Sequence, residues 1–210
     1  MPNLTPQQLA KLNDGREYRA LTMNIADAEM VVEGYAARFN DPYILWEDNE
    51  LRVYEQIDPA AFEGCDMTDV VMQYNHEGRV FARTRNGTLQ LTTDAAGLHI
   101  RADLSGTDLG RQVYNEIKGG YTDKMSFGFR VEEDERTEKR DPTSNRWIVT
   151  RTIKRFKKLY DVSAVSMPAN DMTSISARKL ADGVIEAAEA ERLLRENKRK
   201  KIRTLLEVYR

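Results

Sequence analysis

The feature that most constrains this chain is a hydrophobic period of two that sets in at Tyr18 and returns in short runs as far as Ser166. Leu21, Met23 and Ile25 alternate with Ala20, Thr22 and Asn24, as in a strand with one face buried. Asp27-Ala28-Glu29 turns the chain into a second run, Met30 to Phe39, whose Gly34 marks a bulge or a tight bend. Further strands are expected at 44–46, 51–57, 70–74, 79–84, 88–92 and 98–104, with Asp48-Asn49, Asn86-Gly87 and Ala96-Gly97 as turns. Strands resume at 124–132, 147–154 and 162–166. The charged stretch 132–145 reads as an exposed, mobile hairpin loop. The fold class is therefore mainly β with flanking helices (α+β).

The period changes to 3.6 in few places. Thr107 to Lys118 carries Leu109, Val113 and Ile117 at helical spacing and stops at Gly119-Gly120. Asp58-Pro59-Ala60-Ala61-Phe62 is a capped, proline-initiated turn, and Thr5-Pro6-Gln7-Gln8 opens a short N-terminal helix through about Leu12. Residues 178–210 hold ten Lys or Arg against six Asp or Glu, a net of +4 that leaves −6 for the rest. Their apolar residues fall at helical spacing around Lys198–Lys201. Three regions follow: an extension at 1–16, a β domain at 17–177 and a charged helical tail at 178–210.

Composition removes several function classes. The net charge of −2 and a tail whose bases are mixed with acids, with Tyr209 as its one aromatic residue, argue against nucleic acid as a partner. No apolar run approaches the roughly 20 residues of a membrane span. Met1 to Gln8 lacks the pattern of a secretory signal. Cys65 is the only cysteine, so an intrachain disulfide and a thiolate metal cluster are both excluded, and a reducing cytoplasm fits. No cofactor or metal is implied.

Chemistry near neutral pH has two histidines to draw on. His99 shares a strand face with Arg101 and Asp103, opposite Leu98, Ile100, Ala102 and Leu104, and reads as a solvated surface residue. His76 follows the apolar run Val70–Tyr74 at a strand end, where a scaffold holds a side chain over a cleft; a structural histidine is the simpler account of the pattern alone. Ser126 alternates with Met125, Phe127 and Phe129 and projects from the face opposite them. It shares that face with Gly128, which leaves room for another backbone to approach, such as an extended substrate. Asp161 shares a face with Ser163 and Val165, and either orients a histidine or is an exposed edge charge.

Five segments together carry a resemblance. Ile57-Asp58-Pro59-Ala60-Ala61-Phe62, Asn75-His76-Glu77, Thr88-Leu89-Gln90-Leu91 with Gly97-Leu98-His99-Ile100, Lys124-Met125-Ser126-Phe127-Gly128-Phe129 and Val162–Asn170 stand in the order and spacing of one family. Over about Val31 to Ala177 the chain resembles the prohead proteases of tailed bacteriophages, which are similar in architecture to the herpesvirus capsid-assembly serine proteases. The resemblance implies a closed β-barrel flanked by helices. It implies a serine endopeptidase with Ser126 as nucleophile, His76 as general base and Asp161 as the acidic third member. The family commonly carries glutamate there, one methylene longer. It further implies action in the bacterial host cytoplasm, inside the assembling prohead. The implied partners are the major capsid protein with its scaffolding segment, other prohead proteins, the protease itself by autocleavage, and a second copy in a homodimer. The rival reading is a catalytically inactive β-barrel scaffold or capsid-assembly module. Glu77, beside the base, is a competitor to Asp161, though adjacent strand side chains point to opposite faces.

Overall fold

The computed structural model describes residues 16–25 and 30–166. The expected N-terminal helix, the turn at 27–29 and the charged tail lie outside them.

Ten strands follow in chain order: β1 (Glu17–Ile25), β2 (Val31–Arg38), β3 (Tyr43–Glu47), β4 (Leu51–Ile57), β5 (Val71–Tyr74), β6 (Glu77–Arg83), β7 (Leu89–Thr93), β8 (Gly97–Asp103), β9 (Lys124–Arg140) and β10 (Trp147–Val165). Among the described residues one α-helix, α1 (Asp108–Lys118), stands between β8 and β9. Thr107 caps it, its hydroxyl accepting from the Gly110 amide, and Val113, Tyr114 and Ile117 are buried.

Strand pairing builds a ring that is open at one seam. β5 pairs β10, β10 pairs β9, and the ladder continues through β1, β2 and β8 to β7, while β6 pairs β5 from the other end. β6 and β7 are joined by the 3-10 turn Thr84–Asn86, and the Arg83 amide donates to Thr88 Oγ1 at 2.9 Å. No ladder joins these two strands, so the closed barrel expected from the resemblance is interrupted there. The interior is apolar: Leu98, Ile100, Met125, Phe127, Phe129, Phe156 and Val162 are all at most 1% exposed. Each such side chain contributes roughly 1.5–3 kcal/mol on burial.

β10 organises the sheet. Its first half runs parallel to β4 (Trp147↔Leu51 to Ile153↔Ile57), and its second half runs parallel to β5 (Asp161↔Val71, Ala164↔Tyr74). The connection between β4 and β5 fills the gap, with the Phe156 amide on Ala61 O at 2.8 Å and the Leu159 amide on Asp66 O at 3.1 Å. Asp58–Phe62 is a succession of turns within it. Runs expected as two strands, 147–154 and 162–166, are therefore one strand.

The stretch 132–145, expected as a mobile loop, is instead mostly ladder. β9 stays paired to β10 out to Arg140↔Trp147, leaving only the turn at 141–146. Cross-strand ion pairs replace hydrophobic alternation here: Arg155 with Glu132 and Glu133 at 2.7 Å each, and Arg151 with Asp134 at 2.6 Å. Behind them lies a buried charge cluster. Glu55, 0% exposed, takes Arg19 Nε at 2.6 Å, Arg19 Nη2 at 2.9 Å, Arg151 Nη1 at 2.8 Å and the Tyr43 hydroxyl. Arg151 also reaches Glu17 at 2.7 Å. These bonds fix β1 against β4 and β10.

Candidate active site

Antiparallel partners share a sheet face, so register alone lays out the outer surface of β1, β9 and β10. Tyr18, Gly128 and Asp161 form one row. Ala20, Ser126 and Ser163 form the next, and Thr22, Lys124 and Val165 the third. Rows are separated by two residues of rise, about 6.8 Å. Met125, Phe127 and Phe129 point the other way, into the core. A register shift in β10 between Leu159 and Asp161 sets the carboxylate opposite Gly128.

His76 enters this surface from above. β5 and β6 are joined by two residues, Asn75 and His76, with φ of +50° and +63°. Positive φ at both central positions is the backbone of a tight hairpin turn whose twist matches its strands. The turn places the imidazole across the first two rows. Nδ1 lies 2.5 Å from Asp161 Oδ1 and Nε2 lies 2.7 Å from Ser126 Oγ. With Nδ1 protonated toward the carboxylate, Nε2 accepts from the serine hydroxyl, and this arrangement satisfies every group. The structure thus brings Ser126, His76 and Asp161 together. His99 is elsewhere on the ring, paired with Tyr35 of β2 and Thr92 of β7 and edge-on to the Tyr35 ring at 5.2 Å.

Burial explains what surrounds these groups. Ser126 is 0% and Asp161 3% exposed, so the carboxylate needs donors. Besides the imidazole, Asp161 Oδ1 accepts from Ser163 Oγ at 2.7 Å, a side chain that is itself fully buried. Asp161 is not the edge charge that its position in the sequence allowed. Tyr18 lies against the imidazole at 4.1 Å between ring centroids. Burial, and then the Asp161 charge, push its phenol above the usual tyrosine value, so it stays neutral.

Gly128 corrects the sequence reading. The space above it is not free for a substrate backbone, because a Cβ there would lie 2.7 Å from Tyr18 Cε1 and closer still to Asp161 Oδ2. The glycine makes room for the acid and the tyrosine. Glu77, the competing acid, is exposed, and the group on Nδ1 is Asp161. Cys65 is no rival nucleophile: burial pushes its thiol up to about 11.

Ser126 and Phe127 are laddered on both sides, to Ala20 and Arg19 of β1 and to Ser163 and Val162 of β10. Both residues therefore lie in the interior of the sheet. Sequence reasoning missed Tyr18, Ser163 and Asn75. The period-two pattern placed Ser163 on the Asp161 face, and Asn75 stood in the Asn75-His76-Glu77 segment of the resemblance, without a role for either.

Residues 17–184 match the family model described as caudovirus prohead serine protease. The chain is 28% identical over 171 residues to the prohead protease of Enterobacteria phage HK97, an alignment covering 80% of this chain and 68% of that protein. No solved structure matches.

Proposed function

The chain belongs to the caudovirus prohead serine protease family, and from that premise we propose that it is an endopeptidase working through an acyl-enzyme, with Ser126 as nucleophile, His76 as general base and Asp161 as the group that orients the base. The observation that carries this reading is the continuous hydrogen-bonded line from Ser126 Oγ through both imidazole nitrogens to Asp161 Oδ1.

In this mechanism Ser126 Oγ attacks the scissile carbonyl while Nε2 takes its proton, which a hydroxyl needs to become a nucleophile near pH 7. The tetrahedral intermediate collapses as the imidazolium returns that proton to the departing amine nitrogen and the C–N bond breaks. Water, deprotonated by the same Nε2, then cleaves the ester. Asp161 holds the Nδ1–H tautomer and stabilises the imidazolium, and Ser163 holds Asp161.

The substrates that go with this role are the scaffolding segment of the major capsid protein, other prohead proteins and the protease itself, met inside the assembling prohead. We take the charged tail at 178–210 as an assembly segment removable by autocleavage. Co-expression with the capsid protein of the same phage tests the reading, followed by mass spectrometry and by labelling with fluorophosphonate–rhodamine. Specific fragments and labelling, both abolished in Ser126→Ala and His76→Ala without loss of the thermal transition, are the expected result. Fragments that persist in Ser126→Ala rule the mechanism out. A folded native protein with neither fragments nor labelling returns the choice to the inactive assembly module.

A further inference from the structure

We propose that Asn75 is a positioning residue for His76, holding the imidazole in line by tying the hairpin tip to the end of the strand that carries Asp161. The inference rests on the Ser126–His76–Asp161 reading above.

The ladder between β5 and β10 is short, with partners at Val71↔Asp161 and Tyr74↔Ala164, and it ends before the turn. His76 therefore lies beyond the last pair. Two-residue turns with positive φ at both positions favour Asn followed by Gly, because glycine adopts that backbone without steric conflict. Here the second residue is His76 at φ +63°, a full side chain in a left-handed conformation, which persists only where its surroundings determine it.

The Tyr74↔Glu77 pair closes the hairpin and Gln73 Nε2 donates to Gly78 O at 3.2 Å, but among the described residues only Asn75, apart from the imidazole itself, ties its tip to the neighbouring strand. The Asn75 amide donates to Ala164 O at 2.9 Å. Its Oδ1 accepts from the Ser166 amide at 3.1 Å, and its Nδ2 donates to Ser166 Oγ at 3.3 Å. The main chain thus grips β10 and the side chain the residue that follows it, three and five residues beyond the carboxylate that His76 must meet. The imidazole's other contacts are its two hydrogen bonds and the Tyr18 ring. None of these fixes the backbone from which it projects.

The clamp is exposed to solvent at both residues. Hydrogen bonds made in water add little to stability, because the unfolded chain makes equivalent ones. Placement is different, since a shift of about 1 Å in a catalytic group costs on the order of 10²-fold in rate. A positioning role therefore predicts a variant that loses activity far more than stability. A turn-forming role predicts the opposite: glycine, at home in the same backbone, substitutes freely.

The test uses the full chain and the rate of Ser126 labelling by fluorophosphonate–rhodamine as a function of pH, with thermal unfolding alongside. Asn75→Gly keeps the turn and removes the side-chain bonds. It is expected to lower the high-pH plateau by roughly 10–100-fold with little change in melting temperature. Asn75→Asp retains the acceptor for the Ser166 amide and is expected to recover the plateau to within about fivefold of native, a margin set against that same scale. Its added charge should move the acid limb to higher pH by favouring the imidazolium. Asn75→Gly within about twofold of native, or Asn75→Asp as impaired as Asn75→Gly, overturns the proposal. Should Asn75→Gly lose its thermal transition, Ser166→Ala decides. A loss of about threefold or more at unchanged melting temperature supports the clamp, and an unchanged rate overturns it. A native protein unlabelled at Ser126 takes down the catalytic reading and this inference with it, whereas a labelled native protein matched by Asn75→Gly removes the inference alone.

Discussion

Gly128→Ala is the sharpest single perturbation of the site, because it adds one methyl group and no chemistry. The new Cβ would stand 2.7 Å from Tyr18 Cε1, closer still to Asp161 Oδ2 and 3.2 Å from Asp161 Cγ. Carbon atoms in comfortable contact sit about 3.5–4.0 Å apart, so the tyrosine ring and the carboxylate must each withdraw by roughly 1 Å. The backbone cannot yield instead, since Gly128 is paired to Tyr18 on one side and Asp161 on the other. Overpacking of this kind destabilises by about 1–3 kcal/mol. In a domain of this size that lowers the melting temperature by roughly 2–12 °C. On the proposed role of Asp161, a displacement of about 1 Å in its carboxylate should lower turnover by on the order of 10²-fold, or about 2.7 kcal/mol of activation free energy. Steady-state cleavage of a peptide substrate and differential scanning calorimetry read the two effects separately. Gly106→Ala is the control, because a Cβ at that glycine meets nothing within 4 Å. If the methyl acts through the acid, Gly128→Ala combined with Asp161→Asn loses much less than the sum of the two single losses. Turnover within about threefold of native, or losses that simply add, would refute the assignment of that space to Asp161.

Asp161→Asn should keep the fold and lower turnover by about 10³–10⁴-fold, because an amide favours the wrong imidazole tautomer. Glu77→Gln, assayed beside it on one peptide, should remain near native, and the reverse order means that the orienting acid has been misassigned. Glu55→Ala leaves Arg19 and Arg151 short of a buried partner and should cost about 3–5 kcal/mol in chemical denaturation; a loss below about 1 kcal/mol would show that water replaces the carboxylate. Burial by itself raises the Glu17 carboxyl, but the bonds and charges of Arg151 and Arg19 outweigh it and hold the group below its ordinary value. Its contribution is therefore present above pH of about 4.5 and is lost as pH falls below that value. The melting temperatures of native and Glu17→Gln protein should accordingly converge between pH 6 and pH 3, and a constant gap would remove the ion pair as its cause.

What the sequence disclosed and what it concealed divide along a physical line. Alternation reports which face of a strand meets the core, so Ser126 was legible as pointing away from Met125, Phe127 and Phe129, and Asp161 as lying on the Ser163 face. It cannot report what stands on the far side of that face. The pattern left Asp161 between a histidine partner and an exposed edge charge because it contains nothing of a neighbouring hairpin, yet β5 lies alongside β10 and brings His76 over the carboxylate. The outer half of β9 was misread for a related reason. Glu132 to Arg140 is polar on both faces, and its ladder is held by arginine–carboxylate pairs with residues that are distant in sequence. Strand order was equally hidden, since β1 pairs β9 across about a hundred residues. Least visible was backbone conformation: nothing in Asn75-His76 announces positive φ at both residues. These concealed features converge on one consequence. Ser126 sits in the middle of a three-strand face, Asp161 on its flanking strand and His76 on a hairpin tip attached to that same strand. The site is therefore assembled by two ladders at once, β9 on β10 and β10 on β5, with β1 adding Tyr18 beside the imidazole. A small displacement along the first moves Ser126, and along the second His76, relative to Asp161, without a change of register in the apolar interior. Substitutions in these ladders should accordingly reveal themselves in turnover before they do so in the melting temperature.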